Sequence, residues 1–345
     1  MQKPFFSIII PAYNLENYIA AALQSVLVQT FQDFEIIIVD DGSSDETVSI
    51  IQSFHDPRIR LVSQVNGGVS RARNAGMKKA VGAYIAFLDG DDYWYPEHLE
   101  LAADFFNRHP EILAYANRYM RDELEAIPPR PPSYPESIRR LGIRGVLFMN
   151  SSSVILNSSL ASRLPPWEEA MPYGEDGLYW TRCMRGTGLI GLGGSVTSIY
   201  RQRASSAMHD EHYQHVSLHS LIAPLLNELE AMKNPKWQFA VHYLVIRELH
   251  PKRLLSLNAE ERISLTGRIR KIMHPCLNRP FLDSYMKACS ARAGMEQSFS
   301  ALMDRTMFSC KWLDRLERMG RSLFFRLQTN NGMESKRQDP VRSRS

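Results

Sequence analysis

Hydrophobic positions in the first hundred residues alternate between two periods. Residues 7–10, 35–39, 60–63 and 84–88 are short runs rich in Ile and Val, the pattern of strands buried on both faces. Between them the spacing becomes helical: Ile19, Leu23, Val26 and Leu27 mark one apolar face, and Val48, Ile51 and Phe54 another. Ser43 and Glu46, three residues apart, predict a capping box with Ser43 as N-cap. Pro96 predicts the first residue of a fourth helix, with Glu97 and Glu100 near its positive end. Such strand–helix alternation implies right-handed crossovers and an α/β fold with a mainly parallel sheet flanked by helices.

The pattern then breaks at the proline-rich segment 128–135, which predicts a loop. Residues 152–157 and 196–200 predict further strands that extend the sheet. From about residue 215 to 327 the strand signal gives way to helices, a helical C-terminal extension. Beyond Gln328 the chain is polar and basic and predicts disorder.

Composition narrows this picture. The 345 residues, 44% hydrophobic and 23% charged, suit a soluble protein with one large domain and an appendage. The run from Phe5 to Ile10 stops at Pro11, too short for a secretory signal, and no apolar run reaches the length of a membrane span. A cytoplasmic location is expected. Cys183, Cys276, Cys289 and Cys310 are widely spaced without a C-x-x-C pair and predict reduced thiols. The net charge of +4 resides in the tail, where residues 311–345 carry nine Lys or Arg against four Asp or Glu. The nearly neutral body gives no electrostatic support for nucleic-acid binding.

A polar cluster follows each of the four predicted strands: Pro11-Ala12-Tyr13-Asn14, Asp40-Asp41-Gly42-Ser43, the segment Asn66 to Asn74, and Asp89-Gly90-Asp91-Asp92. Ligands of open parallel sheets collect on this rim. Three carboxylates within four residues repel one another, and a divalent cation such as Mg²⁺ or Mn²⁺ relieves the conflict. The alternative is an acidic turn. Gly90 predicts close approach of a diphosphate to the backbone. Asp41 is placed to accept hydrogen bonds from a base or ribose, or to cap the neighbouring helix. Gly67-Gly68 supplies a permissive turn, and Arg71 a planar cationic fork for base or phosphate. Arg73 and Asn74 rank below Arg71, as residues that pin the loop.

In order and spacing, the segments Ser7–Asn14, Val39–Ser43, Ser70–Gly76 and Phe87–Asp92 resemble the family 2 glycosyltransferases of GT-A fold. The resemblance implies a nucleotide-diphospho-sugar donor, most commonly of UDP, and a saccharide or lipid-linked acceptor. It implies that Pro11, Tyr13, Asn14, Asp41, Gly67, Arg71 and Gly90 line the donor site, and that Asp89 and Asp91 form the metal-binding D-x-D element. It further assigns Asp176, within Glu175-Asp176, as the base of an inverting displacement. The alternative for that pair is a helix cap and first-turn charge. Arg203 and His209 follow a looser match and are candidates for phosphate or metal contact, or plain surface residues. The implied organisation is a nucleotide-sugar-binding half over 1–125, an acceptor half over 126–210, a helical region over 211–328 and a basic tail over 329–345. A Q-x-x-R-W element is absent, which points to a non-processive enzyme.

Two other classes fit less well. A sugar-phosphate nucleotidyltransferase calls for a glycine-rich loop after the first strand, where this chain has Ala12-Tyr13-Asn14, and a non-catalytic sugar-nucleotide binder has no need for Asp89, Asp91 and Asp176 together. No G-x-G-x-x-G follows the first strand, which excludes a dinucleotide oxidoreductase. Near the C-terminus, Trp312, Leu313, Leu316, Met319, Leu323, Phe324 and Leu327 form an apolar stripe with basic residues largely off it. It fits a helix docked on the body or a second subunit, or an interfacial helix over 311–327 at an anionic membrane.

Overall fold

The computed structural model describes residues 3–122, 127–129, 131, 133, 135–139, 149–202, 218–231 and 260. The four Ile- and Val-rich runs are strands: β1 (Phe6–Ala12), β2 (Phe34–Asp40), β3 (Ile59–Ser63) and β4 (Tyr84–Phe87). Helices α1 (Ile19–Leu27), α2 (Thr47–Gln52) and α3 (Val69–Lys79) connect them, so β3, β2, β1 and β4 lie parallel in that order. Every residue of β1 and β2 is buried, as expected of strands covered on both faces.

The sheet continues through the second half. After β5 (Tyr93–Trp94), α4 (His98–Arg108), β6 (Ala114–Asp122) and β7 (Ser137–Arg139) comes a 3-10 turn at Ser151–Ser153. Then follow β8 (Val154–Asn157), α5 (Ser158–Ala161), α6 (Glu175–Thr187), β9 (Ile190–Arg201) and α7 (Leu218–Ala231). The order across the described sheet is β3-β2-β1-β4-β8-β6-β9-β5, with β7 also on β9. Strand β8 runs antiparallel between β4 and β6, while β6 and β9 are parallel. The sheet is mainly parallel, and one sheet spans both halves.

Alternate residues of β1 and β2 feed two cores. Ile8, Ile10, Ile36 and Ile38 meet Ile19, Leu23 and Val26 of α1 and Phe105 of α4. On the other face Ile9 joins Phe87, Trp167, Tyr179 and Trp180, while Ile37 and Val39 receive Ala72 of α3. Helix α3 lies so close that a Cβ at Gly76 would stand 2.5 Å from Ile9 Cγ2. Helix α7 docks by Leu221, Ile222, Leu225 and Leu229 and by buried Glu228, which accepts from Arg182 Nε (2.9 Å) and Arg185 (2.7 Å).

Several expectations shift. Helix α2 starts at Thr47 with Glu46 as N-cap, and the preceding Asp45 carboxylate accepts from Thr47 N and Oγ1. Ser43 is not the N-cap, because its hydroxyl is engaged by the Asn14 amide. Pro96 precedes α4 by two residues, in the turn where its carbonyl accepts from Thr30. Strands β5, β6 and β7 were not predicted, since Ala114–Asp122 mixes Asn, Arg and Met without strict alternation. Cys183 is buried, and burial raises its thiol pKa, as a reduced core cysteine requires. No described helix is long and apolar enough to cross a membrane. The stripe at 311–327, the tail, Cys276, Cys289 and Cys310 lie outside the described residues.

Gly76→Ala is expected to destabilise the protein by about 1–2 kcal/mol net, overpacking outweighing the gain in helix propensity. Thermal unfolding of the variant against the parent checks this; an unchanged or raised midpoint contradicts it.

Candidate active site

The carboxyl ends of β1, β2 and β4 form one rim. The Asp41 amide donates to the Ala12 carbonyl (2.8 Å), which ties the ends of β1 and β2. At the end of β4 a Cβ on Gly90 would sit 2.7 Å from Leu15 Cδ1 and 3.0 Å from the Pro11 carbonyl. The protein's own packing therefore already calls for glycine at position 90. Pro11 is itself buried within β1, beneath the rim. Tyr13 is half exposed. Asn14 adopts a positive φ of 51°, a conformation Asn tolerates, and its side-chain carbonyl accepts from the Ser44 amide (2.9 Å). Asn14 thus clasps the loop after β2.

Asp41 is buried and fully engaged. Its Oδ2 accepts from the amides of Gly67 (3.1 Å) and Gly68 (2.7 Å), and its Oδ1 from Gly67 (3.0 Å) and the Gln64 side-chain amide (2.6 Å). Since Gly68 is the N-cap of α3, Asp41 caps that helix across the sheet rather than α2. Gly68 has φ of 88°, which a residue with a Cβ resists. Arg71 is exposed and lies against Gly67, where a Cβ would meet its Cδ at 2.3 Å.

Arg73, two residues on, points to the opposite side of α3. It is buried, donates to Asp89 Oδ1 (2.7 Å) and Glu175 Oε1 (2.8 Å), and stacks over Trp167 at 4.5 Å. Burial alone would lower the guanidinium pKa, yet Asp89 and Glu175 outweigh it and hold the group above its usual range. Burial pushes Glu175 up to about 7, with Arg73 opposing and Asp176 adding to the rise. Asn74 exchanges two hydrogen bonds with the backbone of Trp167, both 2.9 Å, and donates to Glu169. The segment leading into α6 is thereby fixed to α3. Gly174, in left-handed conformation, is the N-cap of α6; Asp176 sits in the first turn, where its Oδ1 accepts from the Gly177 amide (2.6 Å).

The acidic turn is less frustrated than its sequence suggests. Asp89 has Arg73 as counterion, and Asp92 turns inward, accepting from Ser152 Oγ (2.5 Å) and the Arg201 amide (2.9 Å). Burial, with Asp91 and Asp89 adding to it, raises the Asp92 carboxyl well above the carboxylate range. Ser152 Oγ also receives the Asp89 amide, and Arg201 Nε donates to the Asp91 carbonyl (2.8 Å). Among the described residues no group of three or more His, Cys, Asp or Glu converges on one point. Asp89 and Asp91 remain part-exposed on the rim. Arg203 and His209 lie outside the described residues.

Known proteins share the part of the chain that carries this rim. The family model for glycosyl transferase family 2 matches residues 7–159. An Escherichia coli protein, UDP-Glc:alpha-D-GlcNAc-diphosphoundecaprenol beta-1,3-glucosyltransferase WfgD, is 32% identical over 212 residues, 60% of this chain and 80% of that protein. The chain belongs to glycosyl transferase family 2. The uncharacterized glycosyltransferase EpsJ of Bacillus subtilis is 50% identical over 92 residues, 26% of this chain; the chain spans 27% of that protein's length. The fold of S. aureus TarS, solved with UDP-GlcNAc, superposes with a TM-score of 0.64 over 84% of this chain and 88% of that one, at 22% identity. That likeness establishes a GT-A glycosyltransferase fold.

In this chain the residues that join the rim to the segment 167–176 are Arg73, Asn74 and Glu175. Ser70, Arg73, Asn74 and Met77 share one face by i, i+3 and i+4 spacing, and that count would have set Arg73 on the buried side. Ser152 and Arg201 carry no comparable signal, because β8 and β9 reach the acidic turn only through sheet pairing.

Arg73→Ala leaves Glu175 buried without a counterion and is expected to destabilise the fold by about 3–5 kcal/mol at pH 8. Because the raised Glu175 pKa favours the protonated acid in the fold, the penalty should shrink at pH 5. Denaturant melts at both pH values test this; an equal loss at each contradicts it.

Proposed function

We propose that this family 2 chain is a glycosyltransferase that moves a sugar from a nucleotide-diphosphate donor to an acceptor hydroxyl, with inversion at the anomeric carbon. The observation that carries the reading is Arg73 gripping Asp89 on the donor rim and Glu175 at the start of α6. One buried side chain thus ties the carboxylate at 89 to the carboxylate at 175, and Asp91 and Asp176 are their near neighbours in sequence.

The donor set at 89 and 91 fits a hard divalent cation. It offers two part-exposed carboxylates, all oxygen, with Asp92 withdrawn to Ser152; Mg²⁺ and Mn²⁺ are commonly held by one or two carboxylates plus substrate phosphates. Such a cation, when bound, neutralises charge developing on the departing diphosphate. Tyr13, Asp41, Gly67 and Arg71 form the nucleoside side of the site, Arg71 as the exposed cation. The positive end of α6 and the Gly177 amide orient Asp176 for removing the acceptor proton during attack, and Asp176 Oδ1 already holds that amide. Glu175 is a positioning residue, held by Arg73.

A UDP-sugar is the donor best supported, since the E. coli relative is named for UDP-Glc and TarS was solved with UDP-GlcNAc. The same relative's name supports a lipid-linked saccharide as acceptor and a place in bacterial surface polysaccharide or glycoconjugate synthesis. One sugar added per encounter agrees with the missing Q-x-x-R-W element.

Donor turnover is expected to require Mg²⁺ or Mn²⁺ and to vanish in Asp91→Ala. Asp176→Asn should lower turnover about 10²–10⁴-fold while UDP binding by calorimetry stays unchanged. Metal-independent turnover sinks the cation assignment, and equal loss of binding and turnover in Asp176→Asn makes that residue structural.

A further inference from the structure

Asp41 is the group proposed above to meet the nucleobase, yet its carboxylate is already occupied. Three of its donor contacts come from the amides of Gly67 and Gly68, which are held by the N-terminus of α3. The remaining contact comes from a side chain, Gln64 Nε2 at 2.6 Å on Oδ1. The backbone around Gln64 is fixed: its amide donates to the Asp40 carbonyl (2.9 Å), continuing the β2–β3 ladder. Gly42 backs the loop so closely that a Cβ there would stand 3.0 Å from Asn66 N and 3.4 Å from the Gln64 carbonyl. Loop movement is therefore a costly way to free Asp41. Rotation of the half-buried Gln64 side chain costs one hydrogen bond.

We propose that the Gln64 amide is an internal stand-in for a nucleobase N–H on Asp41, and that its departure gates the base site. The inference rests on the nucleoside role given to Asp41 above. An ionised carboxylate only accepts, so the incoming edge must donate. Uracil and thymine carry an imide N–H and guanine an N1–H. Cytosine and adenine present a lone pair at the equivalent ring nitrogen, and that lone pair is repelled by the oxygen that Gln64 vacates. Asp41 thus does the selecting, and Gln64 sets the threshold for entry: a base that cannot replace its hydrogen bond does not displace it.

The test is calorimetric titration of UDP, CDP and inorganic pyrophosphate, each with Mn²⁺, into the protein and into Gln64→Ala and Gln64→Asn. The shorter amide of Asn does not reach Asp41, so both variants remove the internal donor, and Asn keeps the loop polar. UDP is expected to bind both variants about three- to tenfold more tightly than the parent, with pyrophosphate unchanged and CDP weak throughout. Equal UDP affinity in parent and variants overturns the gate, as does weaker binding, which would make Gln64 a direct base contact. Equal tightening of UDP and CDP overturns it too, because that marks a loosened loop. Failure of UDP to bind the parent or either variant, with pyrophosphate still bound, would instead remove the nucleoside role of Asp41 on which the gate depends.

Discussion

A buried guanidinium between two carboxylates is the constraint that organises this protein. Arg73 is out of water on α3, and a cation in that position is tolerable only if countercharges and hydrogen bonds replace its hydration. Asp89 from the end of β4 and Glu175 from the start of α6 supply both, and the Trp167 ring covers the guanidinium face. Three elements from distant parts of the sequence are therefore held in one register. Shifting any of them by a residue would bury an unpaired charge, so the fold specifies its rim through electrostatic penalty as much as through apolar packing.

That register needs a firmly packed base, which the sheet provides. Strands β1 and β2 carry branched apolar residues on both faces, and helices close over each side. Where helix or turn must come within contact distance of the sheet, glycine is present: Gly76 over Ile9 and Gly90 over Pro11. The rim loops then bind one another, Asn14 to Ser44 and Asp41 to Gly67 and Gly68. Polar residues in the characteristic segments thus divide their work, and several hold loops rather than face a ligand.

This division explains what the sequence discloses and what it hides. The strands, the parallel half-sheet and the rim clusters were legible because hydrophobic period and residue type act locally. The carboxylates at 89 and 91 and at 41 were legible as polar groups on the carboxyl edge of the sheet, which is where the structure has them. Arg71 and Arg73 are cations in one motif that stand on opposite sides of a helix packed on the sheet. Arg73 and Asn74 pin the neighbouring segment as the sequence suggested, though the sequence did not show that Arg73 does so through Asp89 and Glu175. The packing of Gly90 against Pro11 and Leu15 was not legible, because those neighbours come from separate segments. Ser152 and Arg201 were invisible, since the acidic turn meets them only after β8 and β9 have found their places in the sheet. The N-cap of α2 at Glu46, three residues from the expected Ser43, shows how loop-to-loop bonds reassign a local signal.

Most of the rim's carboxylates are matched before any ligand arrives, although the buried Nε of Arg73 has no hydrogen-bond partner among the described residues. Asp41 holds Gln64 and two amides, Asp89 holds Arg73, and Asp92 holds Ser152. Each bond avoids the penalty of a desolvated, unmatched group, so the folded rim does not depend on a ligand for its shape. The same arrangement sets a threshold for binding, because an incoming group must at least replace the bond it breaks. A ligand of the wrong hydrogen-bonding sense gains contact area but loses that exchange. Selectivity at such a rim therefore follows from donor and acceptor matching at a few saturated carboxylates, with pocket shape acting on what passes that filter.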